Sequence, residues 1–420
     1  IPIRHVAYHS DGCENLILFG RGMSNILSRE LAANQQIIRD TLGPELRIIP
    51  EALDWKRGII YLGGRDESEV MTAVAALIKN FPNPKQLKFS IKVLYPTNEI
   101  TNPEELEANA KKFFASFKAR KIQTALRTYL TQAFKNYQLT GEDRPVKCFS
   151  NILVLIFDLY PEEMKNAPAA PTFEFHLFPQ YLYLIENSQA FSDSDRIKSA
   201  EYIRAVMEKA MSSWELINPA KSYSMGRQDY YTNHYCFASR TVAASARYLL
   251  SRYDYSPAKY FLAVGENTFE GVKKCPLSPE DAAGYQYLVY RIFMEYMLSA
   301  GKFNTEILTS PQYKEYLEYG KSLVNHLGYT PGYGDAYSTG MRGPFWMLRD
   351  AWQITGDVES AKILAMIARN AHGATAKYYL DKFKREFLNL GHSVNIECQV
   401  NGKKNTKSQK NNPLFLSQIY

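Results

Sequence analysis

The sequence predicts a mainly α-helical protein, an (α/α) toroid preceded by a small α/β domain. Three observations predict it. Strand-like and helix-like segments alternate near the N-terminus. From Pro103 onward, long helical patterns follow one another with short breaks. Similar turns end three of those helices, at Ser251-Arg252-Tyr253-Asp254, Ser299-Ala300-Gly301-Lys302 and Ile354-Thr355-Gly356-Asp357. Helical hairpins recurring about every 50 residues mark a repeat architecture. With about five pairs, a ring is the closed solution and an open solenoid the alternative.

Each element has its signal. Asn15–Gly20 is a short apolar run ending in glycine, and Ser24–Leu42 carries apolar residues at helical spacing. Leu46–Ile49 and Gly58–Leu62 read as strands, and Glu69–Ile78 as a helix. Gly63-Gly64-Arg65-Asp66 joins strand to helix without the spacing of a nucleotide-binding glycine motif, so it reads as a turn. Prolines at 82, 84 and 96 mark linkers. Glu104–Tyr137 is one or two helices, and Ser150–Leu159 is an apolar helix stopped near Pro161. Phe178–Asn187 pairs with Asp195–Ser213, and Tyr235–Ser251 with Pro257–Lys273. Gly284–Ala300 pairs with Gln312–His326, and Gly343–Thr355 with Val358–Ala371. Val394–Val400 reads as a strand, and Asn401–Asn412 as a basic, polar, mobile tail. The domains are then 1–95 (small α/β accessory), 96–390 (catalytic toroid) and 391–420 (C-terminal extension).

Composition narrows the function classes. The chain is 45% hydrophobic and 22% charged, which suits a globular protein and excludes a disordered one. Apolar runs such as Ile152–Phe157 fall far short of the roughly 20 residues that cross a bilayer. Five cysteines, no two closer than 39 positions, argue against a zinc knuckle, a Cys-x-x-Cys pair or a disulfide scaffold. No HExxH or acidic calcium loop is present, so neither metal nor cofactor is implied. A net charge of +7 suggests an anionic partner. The basic tail is too short to argue for nucleic acid. Thirty tyrosines suit surfaces that meet sugars or peptides, or a tyrosine-rich core.

Three stretches carry the chemistry. Ser224–Arg240 (SMGRQDYYTNHYCFASR) ends a polar loop and opens a helix, with Asn233 and His234 side by side at the boundary. An Asn there can simply cap the helix. Leu277–Arg291 (LSPEDAAGYQYLVYR) leads through Gly284 into Tyr285-Gln286-Tyr287. Tyr285 follows His234 by about one helical hairpin, so the toroid expectation puts Asn233, His234 and Tyr285 in one cleft. Gly328–Gly343 (GYTPGYGDAYSTGMRG) is a glycine-rich connection with Asp335, Tyr333, Tyr337 and Arg342. Thr172–Gln180 adds Glu174 and His176 as a further wall of the cleft, against the plainer reading of a core histidine.

The chain resembles the (α/α)-toroid polysaccharide lyases of the alginate, glucuronan and heparinoid type. The resemblance covers roughly residues 103–385. It rests on Asn233-His234 at a helix start, on Ser278-Pro279 leading to Gly284-Tyr285, and on Gly332-Tyr333-Gly334-Asp335. The sequence departs from the family's tyrosine motif by the insertion Glu280–Ala283, and by Gln286 where a histidine often stands. The resemblance implies metal-independent β-elimination on a uronate-containing anionic polysaccharide or oligosaccharide. A polymer substrate and a start at Ile1 then suggest a periplasmic or secreted protein whose signal peptide is removed.

The chemistry suits the residue types. An amide such as Asn233 stabilises the enolate-like charge at the uronate carboxylate. His234 or Tyr285 takes the C5 proton, and Tyr285 protonates the leaving O4. Arg227, Arg240 and Arg342 offer guanidinium forks to substrate carboxylates, with Arg291 a lesser candidate. Gln286, Asp335, His176, Tyr337, Tyr333 and Trp346 complete the substrate-binding candidates. Two alternatives stand beside the lyase. A glycoside hydrolase would use paired carboxylates from Glu280, Asp281, Asp335 and Asp350. A non-catalytic helical protein would bind glycans through tyrosine and arginine.

Overall fold

The alternating N-terminal pattern becomes a four-stranded sheet, and the other described residues are mainly helical in a computed structural model. The structure describes residues 15–22, 25–39, 42–53, 57–83, 87–116, 125–166, 175–228, 232–276, 283–325 and 345–370. Val394–Val400 and Asn401–Asn412 lie outside the described residues. The chain divides into two compact units. One is Ile1–Val272 with Glu295–Lys302, the other Lys273–Met294 with Phe303–Tyr420.

In the first unit the strands are β1 (Leu16–Gly20), β2 (Glu45–Ile49), β3 (Ile59–Gly63) and β4 (Ser90–Val93), in the order β1-β3-β2-β4. β1 and β3 run parallel, while β2 is antiparallel to both β3 and β4. Period-2 alternation sorts β2 between two layers. Leu46 and Ile48 pack with Leu62 and with Ala73 of α2 (Glu67–Asn80). Ile49 joins the large helical core, where Glu45 and Arg47 form a fully buried ion pair at 2.9 Å. Helix α1 (Ile26–Ala33) is shorter than the apolar spacing of Ser24–Leu42 suggests, because a turn follows it at Asn34. Asp66 caps α2 through the Glu69 N–H at 3.0 Å, so Gly63-Gly64 is the turn the sequence predicts.

Helices follow in series: α3 (Pro103–Ala115), α4 (Thr131–Thr140), α5 (Asp143–Asn166), α6 (Leu177–Ile185), α7 (Asp193–Ala210), α8 (Trp214–Ser224), α9 (Asn233–Tyr253) and α10 (Ala258–Lys274). A π-helical turn, Ala125–Leu130, leads into α4. Three differences from the sequence reading stand out. β4 occupies a stretch flanked by prolines. α5 continues past Pro161, since one proline removes one backbone hydrogen bond from a long helix. α8 forms where no helix was expected, with Pro219 inside it. Its buried face of Glu215, Leu216, Pro219 and Ser222 recurs at helical spacing, and burial outweighs the proline.

The unit's core stacks aromatics from successive helices, including Phe134 on Tyr181 at 4.1 Å. Gly141, with φ +65°, ends α4 against β4, and a Cβ there would lie 2.9 Å from that of Ile91. The expected kinship of the three turns is visible in the backbone. Asp254, Gly301 and Gly356 all take the left-handed conformation that stops a helix.

The second unit holds the start of α11 (Ala283–Ser299), then α12 (Glu306–Thr309), α13 (Pro311–Ser322), α14 (Phe345–Asp350) and α15 (Val358–Asn370). Tyr287, Tyr290, Tyr313 and Tyr316 are buried together in it. No described helix is long and apolar enough to cross a membrane.

Candidate functional site

The Asn-His pair opens α9 in the first unit. Thr232 takes the N-cap position without a side-chain cap, so Asn233 is the first helical residue rather than the cap. Asn233 is 6% exposed. The His234 side chain is 39% exposed, and its Nδ1 edge is shut off from water.

What faces that edge comes from α8. Glu215 lies one residue into the helix, with its side chain 0% exposed. Its Oε1 is 3.9 Å from His234 Nδ1. Neither carboxylate oxygen has a hydrogen-bond donor among the described residues. A buried charge is costly unless paired, and the imidazole edge is the basic group facing this carboxylate among the described residues. Trp214, its neighbour in sequence, is 54% exposed, and its ring centre lies 5.1 Å from that of His234. It also meets Tyr235 edge-on at 6.0 Å. The Tyr235 hydroxyl accepts a 2.7 Å hydrogen bond from Asn218 Nδ2 of α8. Two helix starts therefore present one indole, one imidazole, one amide and one phenol at the same corner, over a buried carboxylate.

Arg227 follows the left-handed Gly226 at the end of α8. Its N–H donates to the Ser222 carbonyl at 2.8 Å, and its carbonyl accepts from Asn267 Nδ2 at 2.9 Å. The backbone is thus fixed while the side chain is exposed, and no carboxylate pairs with it among the described residues.

Other candidates lie elsewhere. Arg240 is 3% exposed and ion-paired with Glu295, its guanidinium 5.4 Å from the centre of the Phe237 ring. A side chain so enclosed and committed ties α9 to the end of α11 and is not available to a substrate. His176 is buried at the start of α6, beside Phe175 and Phe178 of the core, which is the plainer of its two readings. Tyr285 is half-buried on α11 in the second unit, where the backbone of Gln286 is also helical. Trp346 is half-buried beneath the Arg349 guanidinium at 4.5 Å. Asp350 is buried, takes Arg349 at 2.6 Å and accepts from the Tyr290 hydroxyl at 3.2 Å. That carboxylate is occupied as a structural acceptor, which leaves the hydrolase alternative without it. Burial pushes the Tyr290 phenol well above its ordinary pKa. Glu174, Glu280, Asp281, Tyr333, Asp335, Tyr337 and Arg342 lie outside the described residues.

Sequence reasoning missed Trp214, Glu215 and Asn218. All three sit on α8, which its internal proline concealed. The available signal was the helical spacing of the apolar residues Leu216, Pro219 and Ala220 in front of the Asn-His pair.

A scan against protein-family models finds no match, and a search of the curated proteins finds none either.

Proposed function

We propose that this protein is a polysaccharide lyase, cleaving a uronate-containing anionic polysaccharide by β-elimination on an (α/α)-toroid scaffold. The observation that carries the reading is the α8–α9 corner. An exposed indole lies on an imidazole whose inner edge faces a buried carboxylate, beside an asparagine at a helix start. The recurring left-handed helix stops support the repeat architecture.

Each group has a task in elimination. The Trp214 face offers a stacking surface for a pyranose ring. Arg227 offers an exposed guanidinium to a substrate carboxylate. Asn233 supplies an amide donor to the charge that develops on the carboxylate as C5 loses its proton. His234 takes that proton, since an imidazole is the base best matched to neutral pH. Protonation of the departing O4 falls to a phenol. A polymer of this kind would place the enzyme outside the cytoplasm.

The test is ultraviolet absorbance of alginate, glucuronan and glycosaminoglycans incubated with the protein and excess chelator. Elimination leaves a C4=C5 double bond conjugated to the carboxylate, and hydrolysis does not. A rising signal on any polymer is the expected result. New reducing ends without absorbance would replace the lyase by a hydrolase. Binding without either product would replace it by a glycan-binding protein.

A further inference from the structure

Glu215 has no part in the chemistry above, yet its carboxylate lies 3.9 Å from Nδ1 of the base. We propose that Glu215 is the positioning residue of His234, an inference that rests on reading His234 as the base. Its carboxylate keeps the proton on Nδ1, so that Nε2 carries the reactive lone pair. It then stabilises the imidazolium once Nε2 has taken the C5 proton.

The geometry argues for this in three ways. The side chain is wholly buried, and both oxygens lack a donor among the described residues, so a carboxylate is kept here at a cost to the fold. Among the described residues the basic atom facing it is Nδ1, at 3.9 Å. Such contacts are often long without substrate and tighten when it binds. Trp214 packs on the imidazole at 5.1 Å and restricts rotation of the ring away from Glu215. Among the described residues, Tyr235 is a further titratable group at the corner, and its hydroxyl is engaged by Asn218. Which imidazole nitrogen carries the proton is set by the partner of the other.

The step balances. The Nε2 lone pair takes C5–H as a proton, the C5–H electrons pass into the enolate-like carboxylate and then expel O4, and O4 takes a proton from the acid. The Glu215–His234 pair goes from one negative charge to a neutral ion pair, with no oxidant or co-reactant.

The test is nitrogen NMR of the full chain, with the His234 signal assigned by its loss in His234→Gln. In the wild type, neutral His234 is expected as the Nδ1–H tautomer, and the Nε2–H tautomer would overturn the proposal. In Glu215→Gln the preference for the Nδ1–H tautomer is expected to weaken, and in Glu215→Asp to recover in part. An unchanged tautomer preference in Glu215→Gln would also overturn it. On an active polymer, Glu215→Gln is expected to lower kcat about 10- to 100-fold with little change in KM, the range seen when a working histidine loses its carboxylate partner in metal sites. If no polymer yields unsaturated product, the lyase reading fails while the NMR result still decides the pairing.

Discussion

Two glutamates in the first unit, one half-buried and one fully buried, meet opposite fates. Glu186, at the end of α6, accepts a hydrogen bond from the Tyr248 hydroxyl and lies 3.6 Å from Arg252 Nε. The Arg252 guanidinium also reaches Glu51 at 2.9 Å and lies over the Tyr183 ring. Burial pushes the Glu186 carboxyl above its ordinary range, against the pull of Tyr248 and Arg252. Glu215 has burial without such company among the described residues, where it faces one imidazole at 3.9 Å. The first carboxylate is surrounded by what a structural charge needs. The second is held ready for a partner that changes its own protonation. A fold tolerates an under-satisfied buried charge where function requires it.

Four experiments break or sharpen that contrast, in falling order of expected effect. His234→Gln is expected to lower kcat/KM by about 10²- to 10⁴-fold, the usual contribution of a positioned base. Steady-state rates on the active polymer decide it, and a smaller loss would move the base elsewhere. Glu186→Gln is expected to leave kcat unchanged and to lower unfolding stability by about 1–3 kcal/mol. Its pH dependence has a definite sign. A raised folded-state pKa means that Glu186 contributes most below the ordinary carboxylate pKa, and that the contribution is lost as pH rises through the raised value. Thermal unfolding of both proteins across acidic to neutral pH should therefore show the variant's deficit shrinking as pH rises. Trp214→Ala is expected to raise KM several-fold, about 0.5–1.5 kcal/mol of lost stacking, with kcat little changed. Glu215→Gln is expected to shift unfolding stability by less than about 1 kcal/mol, since no strong hydrogen bond is broken. A loss as large as that of Glu186→Gln would make the two glutamates alike and end the contrast.

How much of this was legible depends on the residue. β2 and β3 declared themselves through dense aliphatic runs, and α9 and α10 through long apolar spacing. The three turns shared a pattern that became a shared left-handed stop. Asn233-His234 was legible as a helix start because a polar loop precedes a strongly periodic segment. β4 was hidden between prolines, and its pairing with β2 is a long-range event that no local propensity encodes. α8 was hidden by Asn218-Pro219, a dipeptide that locally reads as a turn. Tertiary burial of Leu216 and Pro219 overrides it, and Trp214 and Glu215 were hidden with the helix. Arg240 misled because sequence distance from His234 says nothing of orientation. Six positions along the helix, its side chain turns inward to Glu295.

Gly141 has a consequence for the chain's history. Gly356 is left-handed but stands in open space, so asparagine or aspartate can replace it, just as Asp254 already occupies an equivalent stop. Gly141 passes through two filters at once, its backbone angle and the Ile91 side chain against it. Diverging descendants of this chain can respell the first kind of stop freely, whereas the joint between sheet and α4 admits a single letter. Drift should therefore accumulate at the hairpin ends and stall at that joint.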